Sequence, residues 1–348
     1  MIYDAALLEP RLTVSAAYEL GEAVRSLAWS PDGEHLAAAS LGGEVAVVRP
    51  RTADRFVGPL AVLEAAVTGL AWCGSTGALG AVTEDGRAFI MEPSGSCTTT
   101  KVAKAASDLT WTRGGQMTVA GIDRAVLLDT SGRLVASLPA VPGGACVVEW
   151  LGCSIRGSLF LGGAGGIESY RMSGVDPDPV PVARWPRAAV VALAVEQSSS
   201  TIAAGTLGGD LELVRPGHDM SAASRLGRGA VSSISWRHGG GVIAVVTDGQ
   251  VKVATTQVHG QALAGVREMS GNPGWITEAG FAPHDGRLAS VDQGGGFVVW
   301  EPMTTPDPLE RSDLGEGLGV LAWHPDGRSI AVGGDGGLVC VVDIGPRP

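Results

Sequence analysis

Along this chain, apolar runs of five to eight residues alternate with short stretches rich in Gly, Pro, Asp and Ser, and the alternation recurs at nearly even distances. Six tryptophans mark the beat, each closing an apolar run: Trp29, Trp72, Trp111, Trp150, Trp236 and Trp323. Val195 and Phe281 fill the two missing positions, so the successive steps are 43, 39, 39, 45, 41, 45 and 42 residues. The runs are too short and too β-branched for helices, and Gly or Asp-Gly pairs separate them at hairpin spacing.

Eight units therefore fill the chain. Each predicts a four-stranded antiparallel blade, with strands a, b and c in the regular part and d in the more variable stretch. A blade cannot bury both of its faces alone, and a period near forty residues with only β-type content points to an all-β, eight-bladed β-propeller. Dropping the weakest mark, Val195, would leave a gap of 86 residues between Trp150 and Trp236, far more than one blade needs.

The clearest unit runs from Val24 to Val48, with Pro31-Asp32-Gly33 as its a–b turn. Proline presets φ, aspartate bonds its own backbone, and glycine accepts positive φ. The last unit repeats this pattern from Leu318 through Trp323-His-Pro-Asp-Gly327 to Val342, then stops at Asp343 with no chain left for a fourth strand. The segment Leu12–Leu20 is a strand that precedes any strand a. It is expected to complete the last blade, closing the ring and making residues 1–348 one domain without an open sheet edge.

Trp29-Ser-Pro-Asp-Gly33, Trp323-His-Pro-Asp-Gly327 and Phe297-Val-Val-Trp300-Glu301 resemble the WD40-repeat family, the last standing where that family carries a Trp-Asp pair. The departures are also informative. No unit has the family's Gly-His pair before strand a, and the Trp-Asp position reads Val48-Arg49, Met91-Glu92, Leu128-Asp129 or Val342-Asp343 elsewhere. The resemblance is to looser, bacterial versions in which the stiffening polar network is mostly missing. Stability then rests on packing: one tryptophan wedge burying ~200 Å² contributes up to ~5 kcal/mol before ordering costs.

Composition narrows the function classes. With 45% hydrophobic and 18% charged residues, the chain is an ordinary folded one, and its 52 glycines fit many tight turns. The net charge of −11 and the lack of a Lys/Arg cluster argue against a nucleic-acid or anionic-membrane surface. The amino-terminal residues lack the basic-then-apolar order of a leader, and the longest apolar run, Ala188–Val195, is too short to span a bilayer. A cytoplasmic protein is the simplest expectation. Cys73, Cys97, Cys146, Cys153 and Cys340 match no zinc or disulfide spacing, which favours inert thiols over a Cys146/Cys153 redox or metal pair.

No catalytic motif or phosphate loop is recognisable, and Leu161-Gly-Gly-Ala-Gly-Gly166 reads as a b–c hairpin rather than a dinucleotide fingerprint. Aligned on the tryptophans, the positions one and three before the mark share one side of the innermost strand. They are mostly small, but carry Glu149 at the first and Asp108 and Glu278 at the second. These three carboxylates are candidate ligands for a cation or polar molecule in the central channel. The plainer account has them bonded to loop amides or bathed in channel water.

His35, His238, His284 and His324 fall in or beside the a–b turns of neighbouring blades, and should decorate one arc of the bottom face about 10 Å or more apart. That is too far for a shared zinc ion. Trp185, flanked by Arg184 and Arg187, and Trp275 precede a strand a, in loops expected on the top face. Aromatics of this kind anchor protein interfaces, and they serve equally as lids over blade ends.

The expectation is a non-catalytic interaction scaffold or adaptor, without a cofactor and monomeric outside its complex, that offers its top face to a protein or peptide. Resemblance to WD40 proteins implies the same face, and the acidic ring favours a basic partner. The competing class is a metal- or small-ligand-binding propeller, enzyme or accessory, built on Asp108, Glu149 and Glu278.

Overall fold

The computed structural model describes residues 12–52, 56–139, 141–152, 157–173, 176–177, 183–185, 188–215, 222–256 and 262–345. It contains eight antiparallel sheets in ring order, each formed by consecutive strands except the last. The innermost strands are Val24–Trp29, Val67–Trp72, Ala106–Trp111, Ala145–Gly152, Val190–Glu196, Val231–Trp236, Ile276–Phe281 and Leu318–Trp323, defining blades one to eight. Consecutive inner strands touch all the way round, and the eighth touches the first.

Closure follows the expected route. Leu12–Glu19 pairs antiparallel with Leu338–Ile344, with Leu12 opposite Ile344 and Glu19 opposite Leu338, so the amino-terminal strand is the outer strand of blade eight. The Leu20 amide continues the seam by donating to the Gly337 carbonyl at 2.9 Å. Both edges that a linear array would expose are thereby paired with each other.

The core lies between blades rather than within them. The buried side chains form eight clusters, each drawn from two consecutive blades. The cluster joining blades eight and one, for example, packs Trp29, Leu36 and Val48 against Val339 and Val341. Strands b and c are buried on both faces, as their nearly unbroken apolar runs require. Burying one Leu or Val in such a seam stabilises the ring by about 1.5–3 kcal/mol, gained only when the neighbouring blade is in place.

The wedge tryptophans do more than fill space. The indole N–H of Trp29, Trp72, Trp111, Trp236 and Trp323 donates to the carbonyl of the residue before the mark in the preceding blade: Ala322, Ala28, Ala71, Ala194 and Gly280, at 2.8–3.1 Å. In every inner strand the pairing register also shifts at the same place, four residues before the mark. This shared β-bulge frees one residue per blade from the ladder. Thr68, Ser107 and Thr277 at that position send a hydroxyl to the next blade's carbonyls of Ala106, Ala145 and Leu318.

One blade departs from the expected loss of polar stiffening. In blade seven the buried Asp292 carboxylate accepts from the Asn272 side chain (3.0 Å) and from the Gly274, Gly294 and Gly296 amides. Ser290 donates to Asn272 at 2.9 Å, and the Trp300 indole donates to the Ser270 carbonyl at 2.8 Å. Asparagine thus does here what an imidazole would do, because its amide both donates and accepts.

Candidate functional site

The d–a connections and b–c turns share the top face; the a–b and c–d turns share the bottom. Inner strands run from top to bottom and place the marked residue at the bottom end.

Asp108, Glu149 and Glu278 lie on inner strands three, four and seven, with blades three and seven opposite each other in the ring. Their side of the strand is turned to the following blade. Asp108 Oδ2 accepts the Val148 amide of blade four at 2.9 Å, and its Oδ1 accepts its own strand's Leu109 amide at 2.8 Å. Glu278 Oε2 accepts the Leu321 amide of blade eight at 2.9 Å. Ser26 does the same for the Leu70 amide. Two of the three carboxylates therefore sit in a register position that joins inner strands.

Burial raises all three carboxyls. Asp108 is pushed up to about 6, against the pull of the Val148 and Leu109 amides. Glu149 reaches about 8, first through burial and then through the nearby charge of Asp108. Glu278 reaches about 7, opposed only by the Leu321 amide. All three are partly exposed, and the protein packed around them disfavours the charged form. Among the described residues, no group of three or more His, Cys, Asp or Glu is arranged to hold a metal ion.

The histidines separate into different environments. His324 is buried, with Nε2 donating to the Gly33 carbonyl of blade one at 3.0 Å and Nδ1 lying 2.7 Å from Asp326 Oδ1. His238 and His284 are exposed with ring centroids 5.8 Å apart, closer than sheet spacing predicted, and His284 Nε2 also lies 2.8 Å from the Pro325 carbonyl of blade eight. His35 accepts the Arg49 Nε–H at 2.9 Å. Cys73 and Cys340 are buried free thiols, Cys97 is an exposed one, and Cys153 and the Cys146 side chain lie outside the described residues.

On the top face Trp275 is 58% exposed. Its indole occupies the space beside Gly249, the b–c turn glycine of blade six: a Cβ at 249 would lie 2.4 Å from Trp275 Cδ2. Gly249 also has φ +69° and follows Asp248 at φ 55°, so the turn itself calls for a residue without a Cβ. Asp292 clamps the 272–274 loop from below, and the Trp275 carbonyl accepts the Gln293 amide at 3.0 Å. The exposed indole is thus held by a rigid loop.

The expected companion, Trp185, is not in a loop. Ala183–Trp185 forms a short outer strand on Gly166–Ser173, with Trp185 opposite Ile167 and Arg184 opposite Glu168. Blade four needs a fourth strand, and this segment supplies the top end of it. The side chains of Trp185 and Arg184, and Arg187 altogether, lie outside the described residues.

Sequence reasoning missed a second feature of the top face. The residue after strand b, anchored through its amide in most blades, is Leu41, Glu84, Ile122, Ala164, Leu207, Asp248, Gln293 and Asp335 around the ring. Leu41, Ile122 and Leu207 are 48%, 57% and 59% exposed. Alignment on the b–c glycines would have revealed this row of apolar and acidic positions.

The WD40 family model, described as WD domain, G-beta repeat, matches residues 14–47 and 317–343, the first blade and the closing one. No curated protein matches the sequence. Among solved structures, the crystal structure of Sqt1 from Chaetomium thermophilum superposes with a TM-score of 0.80 at 15% identity, over 97% of this chain and 100% of that one. Identity that low speaks to the fold. Ring, turn motifs and the two matched segments agree: the chain is an eight-bladed β-propeller whose first and closing blades match the WD40 repeat.

Proposed function

We propose that this protein is a non-catalytic scaffold that presents its top face to a protein or peptide, with Trp275 as the anchor. The observation that carries the reading is the exposed indole seated on Gly249 and held by the Asp292-clamped loop. A rigid, half-exposed tryptophan contributes contact area at little ordering cost, which is the usual profile of an interface hot spot. The apolar Leu41, Ile122 and Leu207, interleaved with the acidic Glu84, Asp248 and Asp335, favour a partner that combines apolar and basic side chains. On the sequence alone, the reading extends to Trp185, Arg184 and Arg187.

The test is recovery of bound proteins from the native cell extract on tagged wild type and on Trp275→Ala. The expected result is a specific partner on wild type that is lost with Trp275→Ala while the melting temperature is unchanged. Undiminished recovery by the variant would remove Trp275 from the interface.

A further inference from the structure

Closing the ring pairs the two ends of the array, yet every blade keeps an outer edge, and these edges differ. A strand edge offers unpaired amides and carbonyls to any extended segment unless a bulge, a proline, a charge or shortness guards it. The outer strands of blades one, three, six, seven and eight each break register with the strand inside them. Those of blades one, three and seven also contain Pro59, Pro139 and Pro308. In blades four and five the outer pieces are short, at two, three and four residues. Blade two has neither bulge nor proline. Its outer strand Cys97–Lys101 pairs with Arg87–Met91 without a shift, and the Thr-Thr-Thr centre is β-branched throughout.

The ladder fixes which groups point outward. The Glu92 amide donates to the Ser96 carbonyl and the Val102 amide to the Gly86 carbonyl, both at 2.9 Å, and hydrogen-bonded pairs alternate along an antiparallel ladder. Thr98 and Thr100 therefore bond inward, and Cys97, Thr99 and Lys101 turn their N–H and C=O groups away from the blade. Among the described residues no other strand pairs with this one. The strand is also braced. The Thr100 hydroxyl donates to the Gly132 carbonyl of blade three at 2.7 Å, and a Cβ at Gly132 would stand 2.6 Å from Thr98 Cγ2. Lysine is a usual guard of such edges, but the Lys101 ammonium is drawn back to the Asp85 carbonyl of its own blade.

We infer that this edge pairs with the same edge of a second copy of the chain, the two strands running antiparallel about a two-fold axis at Thr99. Thr99 then faces its own copy, and Cys97 faces Lys101 of the other chain. Every outward N–H meets an outward C=O, and no like charges are opposed. The outward set is its own complement, which is what a two-fold interface requires. Contact through one strand edge falls below the ~1,200 Å² of stable complexes, so the dimer is weak, with a Kd on the order of 100 µM. The edge lies on the perimeter, and the inference does not depend on the reading of the top face.

Sedimentation equilibrium of the full chain from about 5 to 500 µM, which brackets that Kd, tests this. Wild type should show a reversible monomer–dimer equilibrium, and hydrogen exchange at the Cys97, Thr99 and Lys101 amides should slow as concentration rises. Thr99→Pro removes an outward N–H and no ladder bond, and should weaken association about tenfold or more. Thr99→Lys, at an exposed position, opposes two ammonium groups across the axis and should do the same, less so in ~1 M salt. Circular dichroism verifies that both variants fold. A wild type that stays monomeric throughout, whether or not its edge accepts another protein's strand, would overturn the inference, and so would undiminished association of the folded variants.

Discussion

The indole N–H of Trp29 donates to the carbonyl of Ala322, 3.1 Å away in space and 293 residues away in sequence. The same bond recurs at Trp72, Trp111, Trp236 and Trp323, each time to the preceding blade. It explains why tryptophan, rather than any large apolar residue, keeps the beat of this sequence. Trp150 is the exception: its buried Nε1 has no partner among the described residues. Trp29→Phe should therefore cost about 1 kcal/mol beyond the change in packing, because the Ala322 carbonyl is left unmatched. Trp150→Phe should cost less, since it removes an orphan donor. Urea unfolding of both variants measures the difference, and equal losses would deny the hydrogen bond its role.

The three raised carboxyls set a pH dependence with a definite sign. Their folded values of about 6, 8 and 7 lie above the unfolded ones, so the folded state binds protons more tightly. The stability they contribute is complete below about pH 4 and is lost as pH rises through 6 to 8. Glu149→Gln cannot ionise and escapes that loss. It should be more stable than wild type by ~1–3 kcal/mol at pH 9, after discounting for channel water, and nearly equal to it at pH 5. Melting temperatures across this range decide the matter; a constant gap between the two proteins would show that Glu149 is not desolvated.

At the ring closure the sign is opposite. Burial works against ionisation of Asp326, but the Arg328 amide, Arg51 and His324 outweigh it and hold the carboxyl at about 2. Arg51 lies 2.8 Å away and reaches across from blade one, so the pair staples the first blade to the last. Its contribution is present above about pH 4 and disappears as pH falls towards 2. Asp326→Asn should lower stability at neutral pH by about 0.5–1 kcal/mol, the range of partly exposed pairs, and make no difference near pH 2. Added salt should shrink the effect, and a loss that persists at pH 2 would point to packing instead.

The ring was legible because its signals are periodic. Tryptophan spacing, Pro-Asp-Gly turns and a last unit short of one strand together implied eight blades and the clasp between Leu12–Glu19 and Leu338–Ile344. What escaped the sequence depends on neighbours across a seam. Alternation along their own strands named Asp108 and Glu278 but could not show that their hydrogen-bond partners, Val148 and Leu321, belong to the next blade. The Asp292 network was hidden because Asn272 stands where a histidine was sought. Trp185 was assigned to a loop because it precedes strand a of blade five, while the unmet edge of blade four recruited it as a strand.

Trp275 shows most directly how a missing atom positions a functional side chain. Gly249→Ala adds a methyl 2.4 Å from the indole, at a backbone φ of +69° that no side chain favours. The ring must leave its seat, and the turn loses about 1 kcal/mol. Gly239→Ala supplies the control, because Gly239 has φ +83° in a bottom-face turn with nothing within 4 Å of the added methyl. The two variants should lose similar stability, yet Gly249→Ala alone should match Trp275→Ala in failing to retain the top-face partner. Equal retention by both glycine variants would mean that the seat of Trp275 does not matter for binding, and that the crown of Leu41, Ile122 and Leu207 carries the contact without it.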